Sequence, residues 1–95
     1  MVVGVLKLTL FLPENHSLKG KRGVIKKIKA RVANTFNVSI AECDDHDLWQ
    51  RAQLGLAMVS NDSQVLDASI TKIVSFIEEL HMAQVIDSKI ELWHW

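Results

Sequence analysis

The 95-residue sequence has little cysteine, little proline and no long apolar run, and these shortages exclude several classes of protein. The single cysteine, Cys43, has no partner for an internal disulfide, which excludes a disulfide-stapled secreted scaffold. We predict that Cys43 is a small buried apolar residue rather than a nucleophile. No apolar run approaches the ~20 residues of a membrane-spanning helix. The first 13 residues alternate in polarity and lack a basic start, so we expect no signal peptide and a cytoplasmic protein.

The remaining composition is that of a folded globular protein. Hydrophobic residues make up 48% of the chain and charged residues 23%, which is typical of a chain that folds around a core. A chain of this length suffices for one hydrophobic core but not for two. We therefore predict a single domain over residues 1–95.

The 11 basic and 11 acidic residues balance in number but lie in different parts of the chain. Residues 1–40 hold eight basic residues and one acidic residue, whereas residues 41–95 hold three basic and ten acidic residues. Seven of the basic residues lie between Lys19 and Arg31, with no acid among them. Such asymmetry favours a polyanionic partner, and it also suits association of a basic surface with an acidic one.

Hydrophobic periodicity predicts six secondary-structure elements. Apolar residues from Leu18 to Phe36 fall on one stripe of a 3.6-residue helix, and Ser17 precedes them as the N-cap. A second helical stripe runs from Leu66 to Leu80, and four other segments alternate with period 2 as strands do. The predicted helices cover residues 18–35 and 66–80, and the predicted strands cover residues 2–12, 37–43, 49–59 and 84–94.

The order βαββαβ predicts a ferredoxin-like α+β fold, with a four-stranded antiparallel sheet and two helices on one face. Right-handed connections place the first and third strands in the middle of the sheet. The sheet face without helices then carries apolar residues, among them Val3, Val5, Phe11 and Val59. Because a large exposed apolar surface is unfavourable in water, we predict that a second copy of the chain or another protein binds at these residues.

Three motifs, HSLKGKR, FNVSIAE and DLWQRAQLGLAMVSND, make the chain resemble the YlxP-like family of small bacterial proteins of unknown function. The resemblance runs from Val2 to about Leu80. It implies a ferredoxin-like fold and genes that commonly sit near those for translation and ribosome maturation, with no established activity, ligand or catalytic residue. The family usually has an acid where this chain has Gly20, and a glutamate there would complete a capping box with Ser17.

The basic residues of the first predicted helix are the candidate functional surface. Lys19, Arg22, Lys26 and Lys29 form one ridge along the helix, and Lys21 lies within the same basic run. We predict that these five residues contact RNA phosphates, because lysine-rich surfaces suit contact with the nucleic-acid backbone. The alternatives are an ordinary solvated helix face and a surface for an acidic protein partner.

Two known modes of RNA binding do not fit the sequence. Gly20 and Gly23 frame a GxxG pattern, but a KH-type clamp needs that pattern in a loop between two helices. A base-stacking sheet of the RRM type needs aromatic residues on its central strands, and the third strand has none after Trp49. We therefore attribute the GxxG pattern to chance and reject an RRM mode of binding.

The remaining candidates indicate no enzyme. The Asp44–Asp47 turn has three carboxylates and a histidine but lacks the glycine and spacing of a calcium loop, so we predict a solvated turn without metal.

We predict that Trp49 is a packing anchor and that Arg51 either pairs with a neighbouring aspartate or holds an anion. His16 is interpreted as a loop residue. We predict no catalytic residue and no cofactor, with a hydrolase near Asp45, Asp47 and Arg51 as the least supported alternative.

Overall fold

β1 (Val2–Phe11) and β3 (Arg51–Ser60) form the centre of the sheet in the computed structural model, which describes residues 1–95. The two strands run antiparallel and pair along their whole length. Apart from Ser60 at the end of β3, their even-numbered residues are buried, and five of these ten residues are leucine, whereas the odd-numbered residues point to the other face. The alternation of the sequence thus assigns one apolar face of the sheet to the core.

β2 (Ser39–Asp44) pairs with β3, and β4 (Gln84–His94) pairs with β1, both in antiparallel orientation. The strand order across the sheet is therefore β2-β3-β1-β4. This arrangement confirms the predicted ferredoxin-like α+β fold, including the central position of the first and third strands.

Each of the two helices begins at a side-chain cap. α1 (Leu18–Thr35) follows Ser17, whose Oγ accepts a hydrogen bond of 2.9 Å from the backbone N–H of Gly20. α2 (Ser63–Glu79) follows Asp62, whose carboxylate likewise accepts from the first turn. These caps satisfy N–H groups that have no partner inside the helix. Neither helix is long and apolar enough to cross a membrane.

Both helices pack on the sheet face formed by the even-numbered residues of β1 and β3. α1 lies beside β2, and α2 lies over β4, β3 and β1. The rings of Phe36 and Phe76 meet edge to face with their centroids 5.5 Å apart, which joins the two helical segments. The helical residues buried in this core are Ile25, Ile28 and Val32 of α1 and Leu66, Ile70, Ile73 and Ile77 of α2.

The observed helix α1 has the predicted limits, whereas β2 and β3 each begin two residues later than predicted. The backbone of Phe36 and Val38 forms a short turn after α1, so β2 begins only at Ser39. Before β3, the carbonyls of Trp49 and Gln50 accept hydrogen bonds from the loop that precedes α1. The hairpin between β2 and β3 is therefore tied to the start of α1.

Candidate nucleic-acid interface

The outer surface of α1 presents five exposed cations, which we call the cationic face: Lys19, Arg22, Lys26, Lys27 and Arg31. None of them takes part in any of the three ion pairs of the structure. No acid lies in the first turn of α1, nor anywhere else along the helix. The positive charge of this surface is therefore solvated and free to meet an anion.

Three of the five predicted phosphate contacts, Lys19, Arg22 and Lys26, lie on the cationic face. Lys29, the fourth, is half-buried at its border. Lys27 and Arg31 extend the positive surface around the helix, on the far side from Lys29. The cationic face is accordingly broader than a single ridge.

The prediction that Lys21 contacts phosphate is wrong, because this residue is only 1% exposed. Its ammonium group lies 3.1 Å from the Oε2 atom of Glu42 on β2 and donates a hydrogen bond to the carbonyl of Asp45. That Glu42 oxygen is buried and has no hydrogen-bond partner, so Lys21 supplies its neutralising charge. Lys21 thus ties α1 to the β2–β3 hairpin and does not reach a ligand at the surface.

The position of Lys21 in the helical repeat carried a signal of this burial. Lys21 lies four residues before Ile25, and the two belong to the same buried stripe as Ile28 and Val32. A lysine on the apolar stripe of a helix needs a buried acid, and Glu42 is that acid.

The β2–β3 hairpin is held by a second set of polar contacts around Asp45. This residue has a positive φ of 59°, as turn aspartates often do, and its Oδ2 accepts hydrogen bonds from Gln53 Nε2 at 2.7 Å and from Arg51 Nε at 3.0 Å. The hydrogen bond from Gln53, followed by that from Arg51, holds the pKa of Asp45 below its usual value. Of the two roles predicted for Arg51, the structure shows the pairing with an aspartate.

The loop before α1 contacts the same hairpin. The side-chain amide of Asn15 donates hydrogen bonds to the carbonyl of Ser17, at 2.7 Å, and to the carbonyl of Trp49. The side chain of Gln50 donates in return to the carbonyl of Pro13, at 3.2 Å. The three sequence motifs therefore meet at one end of the fold, where they hold α1, β2 and β3 together.

The comparison with known protein families agrees with these motifs. Residues 3–90 match the family described as "Protein of unknown function (DUF503)". The chain belongs to the DUF503 family. It is 36% identical over 77 residues to the "Uncharacterized protein YlxP" of Bacillus subtilis (strain 168), which covers 81% of this chain and 84% of that protein. The resemblance to YlxP-like proteins of unknown function is thus confirmed.

Two solved structures share the fold of this DUF503 protein. A de novo designed protein, Foldit4, superposes with a TM-score of 0.54 at 14% identity, covering 100% of this chain and 99% of the design. LarC2, the C-terminal domain of a cyclometallase involved in synthesis of the NPN cofactor of lactate racemase, superposes in its apo form with a TM-score of 0.50 at 13% identity. That match covers 98% of this chain and 55% of LarC2. At these identities the two likenesses show the fold alone.

Gly20 lies close to Asn15 in this member of the family. A Cβ atom at Gly20 would collide with the Oδ1 atom of Asn15, so the asparagine fills the space that a side chain at this position would need. A Cβ at Gly23, by contrast, would meet open space. The pair belongs to the first turns of α1 and not to a loop, so its geometry is not that of a KH clamp.

The sheet face opposite the helices, called the open face below, holds the four predicted interface residues. Val5 and Val59 are exposed there, whereas Val3 and Phe11 are half-buried. Val3 lies between Val59 and Trp93 on the neighbouring strands, which makes an apolar patch at one end of this face. Phe11 lies at the other end.

A polar band crosses the open face between its two apolar ends. Lys7 Nζ lies 2.6 Å from Asp44 Oδ2, and this hydrogen-bonded pair raises the pKa of Lys7. Lys89 lies directly opposite Lys7 on β4, and Asp87 lies opposite Thr9. The open face is therefore not uniformly apolar.

Two of the three acids of the Asp44–Asp47 turn form ion pairs within the protein. Asp44 pairs with Lys7 and Asp45 with Arg51, while His46 and Asp47 are exposed. No group of three or more histidine, cysteine, aspartate or glutamate side chains is placed to hold a metal ion.

Trp49 and Cys43 differ from their predictions. Trp49 is 56% exposed, which does not fit a packing anchor, and it lines an open groove of about 420 Å³ with Phe11, Leu48 and Ile86. Cys43 is exposed rather than buried, although partial desolvation of its thiol raises its pKa. It lies beside Gly55, whose missing side chain leaves the thiol uncovered. Both corrections concern residues at the β2–β3 hairpin, where strand alternation is interrupted.

Proposed function

We propose that this DUF503 protein is a non-catalytic, cytoplasmic RNA-associated protein that binds RNA phosphates, including those of the ribosome, through the cationic face of α1. The observation that carries the proposal is that five cations are exposed on one helix without a single ion pair. A phosphate backbone would neutralise these charges and release its condensed counterions.

The chemistry of the cationic face suits backbone contact rather than recognition of a base sequence. Three of its five residues are lysines, which act as flexible point charges, whereas bidentate recognition of guanine is mainly the role of arginine. The helix is also continuous over 18 residues, so these charges are held on one rigid element and spread over its exposed side. We therefore expect binding that depends weakly on sequence and strongly on salt.

The test compares two variants with the same change in net charge. Lys26 lies on the cationic face, and Lys72 is an exposed lysine of α2. We expect Lys26→Glu to weaken binding to a fluorescently labelled single-stranded RNA by about tenfold or more, as measured by anisotropy at low salt. Lys72→Glu serves as the matched control and should change the affinity several-fold less. Equal weakening by both variants, or no binding by the unaltered protein, would contradict the proposal.

A second candidate function is a homodimeric interaction module that binds an acidic protein and no nucleic acid. The exposure of Val5 and Val59 favours an interaction surface on the open face, and the cationic face could equally meet clustered carboxylates. A protein that binds no RNA in the experiment above but associates through these residues would support this candidate. Val59→Asp would then weaken the association, while Lys26→Glu would weaken binding of the acidic partner.

A further inference from the structure

The two edges of the sheet differ in how open they are to pairing. β2 has six residues, and its pairing with β3 is irregular between Glu42 and Asp44. β4 has 11 residues, contains no proline, and has no neighbour on its outer side. The pairing of β4 with β1 is irregular only near Val85, and residues 87–94 pair without interruption. Short and irregular edges resist pairing with another strand, whereas a longer regular stretch presents a row of free N–H and C=O groups. β4 is the edge that can accept a further strand.

The charges of β4 alternate in sign along the open face. Asp87, Lys89 and Glu91 follow one another at every second position, and none of them forms an ion pair within the chain. Lys89 lies beside Lys7, whose charge is already matched by Asp44. Edge charges usually oppose pairing, but an alternating pattern permits it in the register that brings opposite signs together.

The geometry points to a second copy of this chain as the occupant of the β4 edge. We infer that two β4 strands pair antiparallel about a two-fold axis through Ile90. In this register Lys89 of each copy lies opposite Glu91 of the other, which forms two equivalent cross-strand ion pairs. Such an interface is self-complementary, as a two-fold symmetric dimer requires.

Neighbouring registers are less favourable. An axis through Lys89 would place the two Lys89 side chains directly opposite each other. It would also place Asp87 opposite Glu91 of the second copy, so that both pairs would carry like charges and repel. An axis through Ser88 would pair Asp87 with Lys89, but its ladder would run into the irregularity of β4 where Leu10 pairs with Val85. The axis through Ile90 uses residues 87–93, all of which lie beyond that irregularity and pair regularly with β1.

Burial of apolar surface supports the same register. Ile90 lies opposite the buried Leu6, on the sheet face that carries the helices, yet it is 50% exposed. Pairing through Ile90 places the two isoleucines beside each other and removes apolar surface from water. Packing of two open faces against each other would instead bury the polar band with Lys7 and Asp44, which carries a large desolvation cost.

The inferred dimer leaves the proposed RNA surface free. Pairing of the two edges would make a continuous eight-stranded sheet with all four helices on one side. α2 lies nearest β4, and α1 lies beside β2 at the opposite edge. The two cationic faces would therefore lie at the outer ends of the dimer. The dimer can form whether or not the protein binds RNA.

Charge reversal tests the register. We expect the unaltered protein to be a dimer in analytical ultracentrifugation at micromolar to submillimolar concentrations, and Lys89→Glu and Glu91→Lys each to weaken it by tenfold or more. The double variant Lys89→Glu/Glu91→Lys restores opposite charges and should recover most of the dimer. Lys72→Glu on α2 and Asp47→Lys in the turn before β3 carry matched charge changes at exposed positions off β4, and they should have little effect.

A cysteine cross-link tests the two-fold axis directly. In a Cys43→Ser background, Ile90→Cys places two thiols opposite each other, at a distance that suits a disulfide. Mild oxidation should give a covalent dimer with Ile90→Cys and much less with Ile86→Cys, an equally exposed position on the same strand. A monomeric protein, a dimer indifferent to Lys89 and Glu91, or equal cross-linking at both positions would overturn the inference.

Discussion

The ammonium group of Lys21 and the carboxylate of Glu42 meet 3.1 Å apart inside the protein, where α1 crosses β2. The side chain of Lys21 is 2% exposed and that of Glu42 is 17% exposed, so neither charge is fully solvated. The pair joins two of the three family motifs, and Asp45 connects them to the third through Arg51 and Gln53. The motifs of this DUF503 protein thus include an internal ion pair that holds α1 against the β2–β3 hairpin, beside the cationic face. We call this pair the structural lock.

Removal of Lys21 should destabilise the protein strongly. Lys21→Met leaves Glu42 without a neutralising charge, and breaking a buried pair in this way costs about 3 kcal/mol or more. Urea denaturation should show this loss, while Lys19→Met, on the exposed side of the same helix, should stay within about 0.5 kcal/mol of the unaltered protein. The double variant Lys21→Met/Glu42→Leu should regain most of the stability. A loss of less than about 1 kcal/mol in Lys21→Met would show that the pair is not a lock.

The two glycines of α1 should respond differently to alanine. Gly23 faces open space in a helix interior, so Gly23→Ala should stabilise the protein by about 1 kcal/mol. Gly20→Ala should gain less or lose stability, because the new Cβ displaces Asn15 from its hydrogen bonds to Ser17 and Trp49. Thermal or chemical denaturation of both variants measures the difference, and equal gains would contradict the placement of Asn15.

Asp45 should make stability depend on pH in the acid range. Its folded pKa lies below the ordinary value of 3.8, so its contribution is fully present above that pH and is lost as the pH falls through the folded value. We expect the stability difference between the unaltered protein and Asp45→Asn to be constant near neutrality and to shrink in the acid range below about pH 5. Asp47→Asn controls for net charge, because Asp47 takes part in no ion pair. A difference that grows on acidification would contradict the assigned hydrogen bonds.

Trp49 should contribute little to the stability of the fold. Its side chain is 56% exposed, whereas Leu54 on β3 is fully buried. Trp49→Ala should therefore cost no more than about 1 kcal/mol, compared with about 2 to 5 kcal/mol for Leu54→Ala. Urea denaturation measures the free energies of unfolding of the two variants, and a comparable loss in both would restore the prediction that Trp49 is a packing anchor.

Periodicity was sufficient to predict the element order and the limits of α1, because the leucines of β1 alternate strictly and Ser17 caps the helix. Periodicity failed where a polar residue occupies an apolar position or where the strand pattern is interrupted. The charge of Lys21 predicts a surface position, because its partner Glu42 lies 21 residues away in sequence. The strand propensity of Trp49 places it in β3, but its backbone carbonyl instead accepts a hydrogen bond from the loop before α1. Such long-range pairs depend on the tertiary fold.

The salt dependence of RNA binding tests the cationic face most directly. The affinity of the unaltered protein for a short labelled RNA is measured by anisotropy from about 50 to about 200 mM salt, in parallel with Lys26→Glu. If the face binds phosphates, log K falls linearly with log salt concentration, and the slope of the variant is smaller by about one unit. An affinity that does not change with salt, or an identical slope in the variant, would contradict the account.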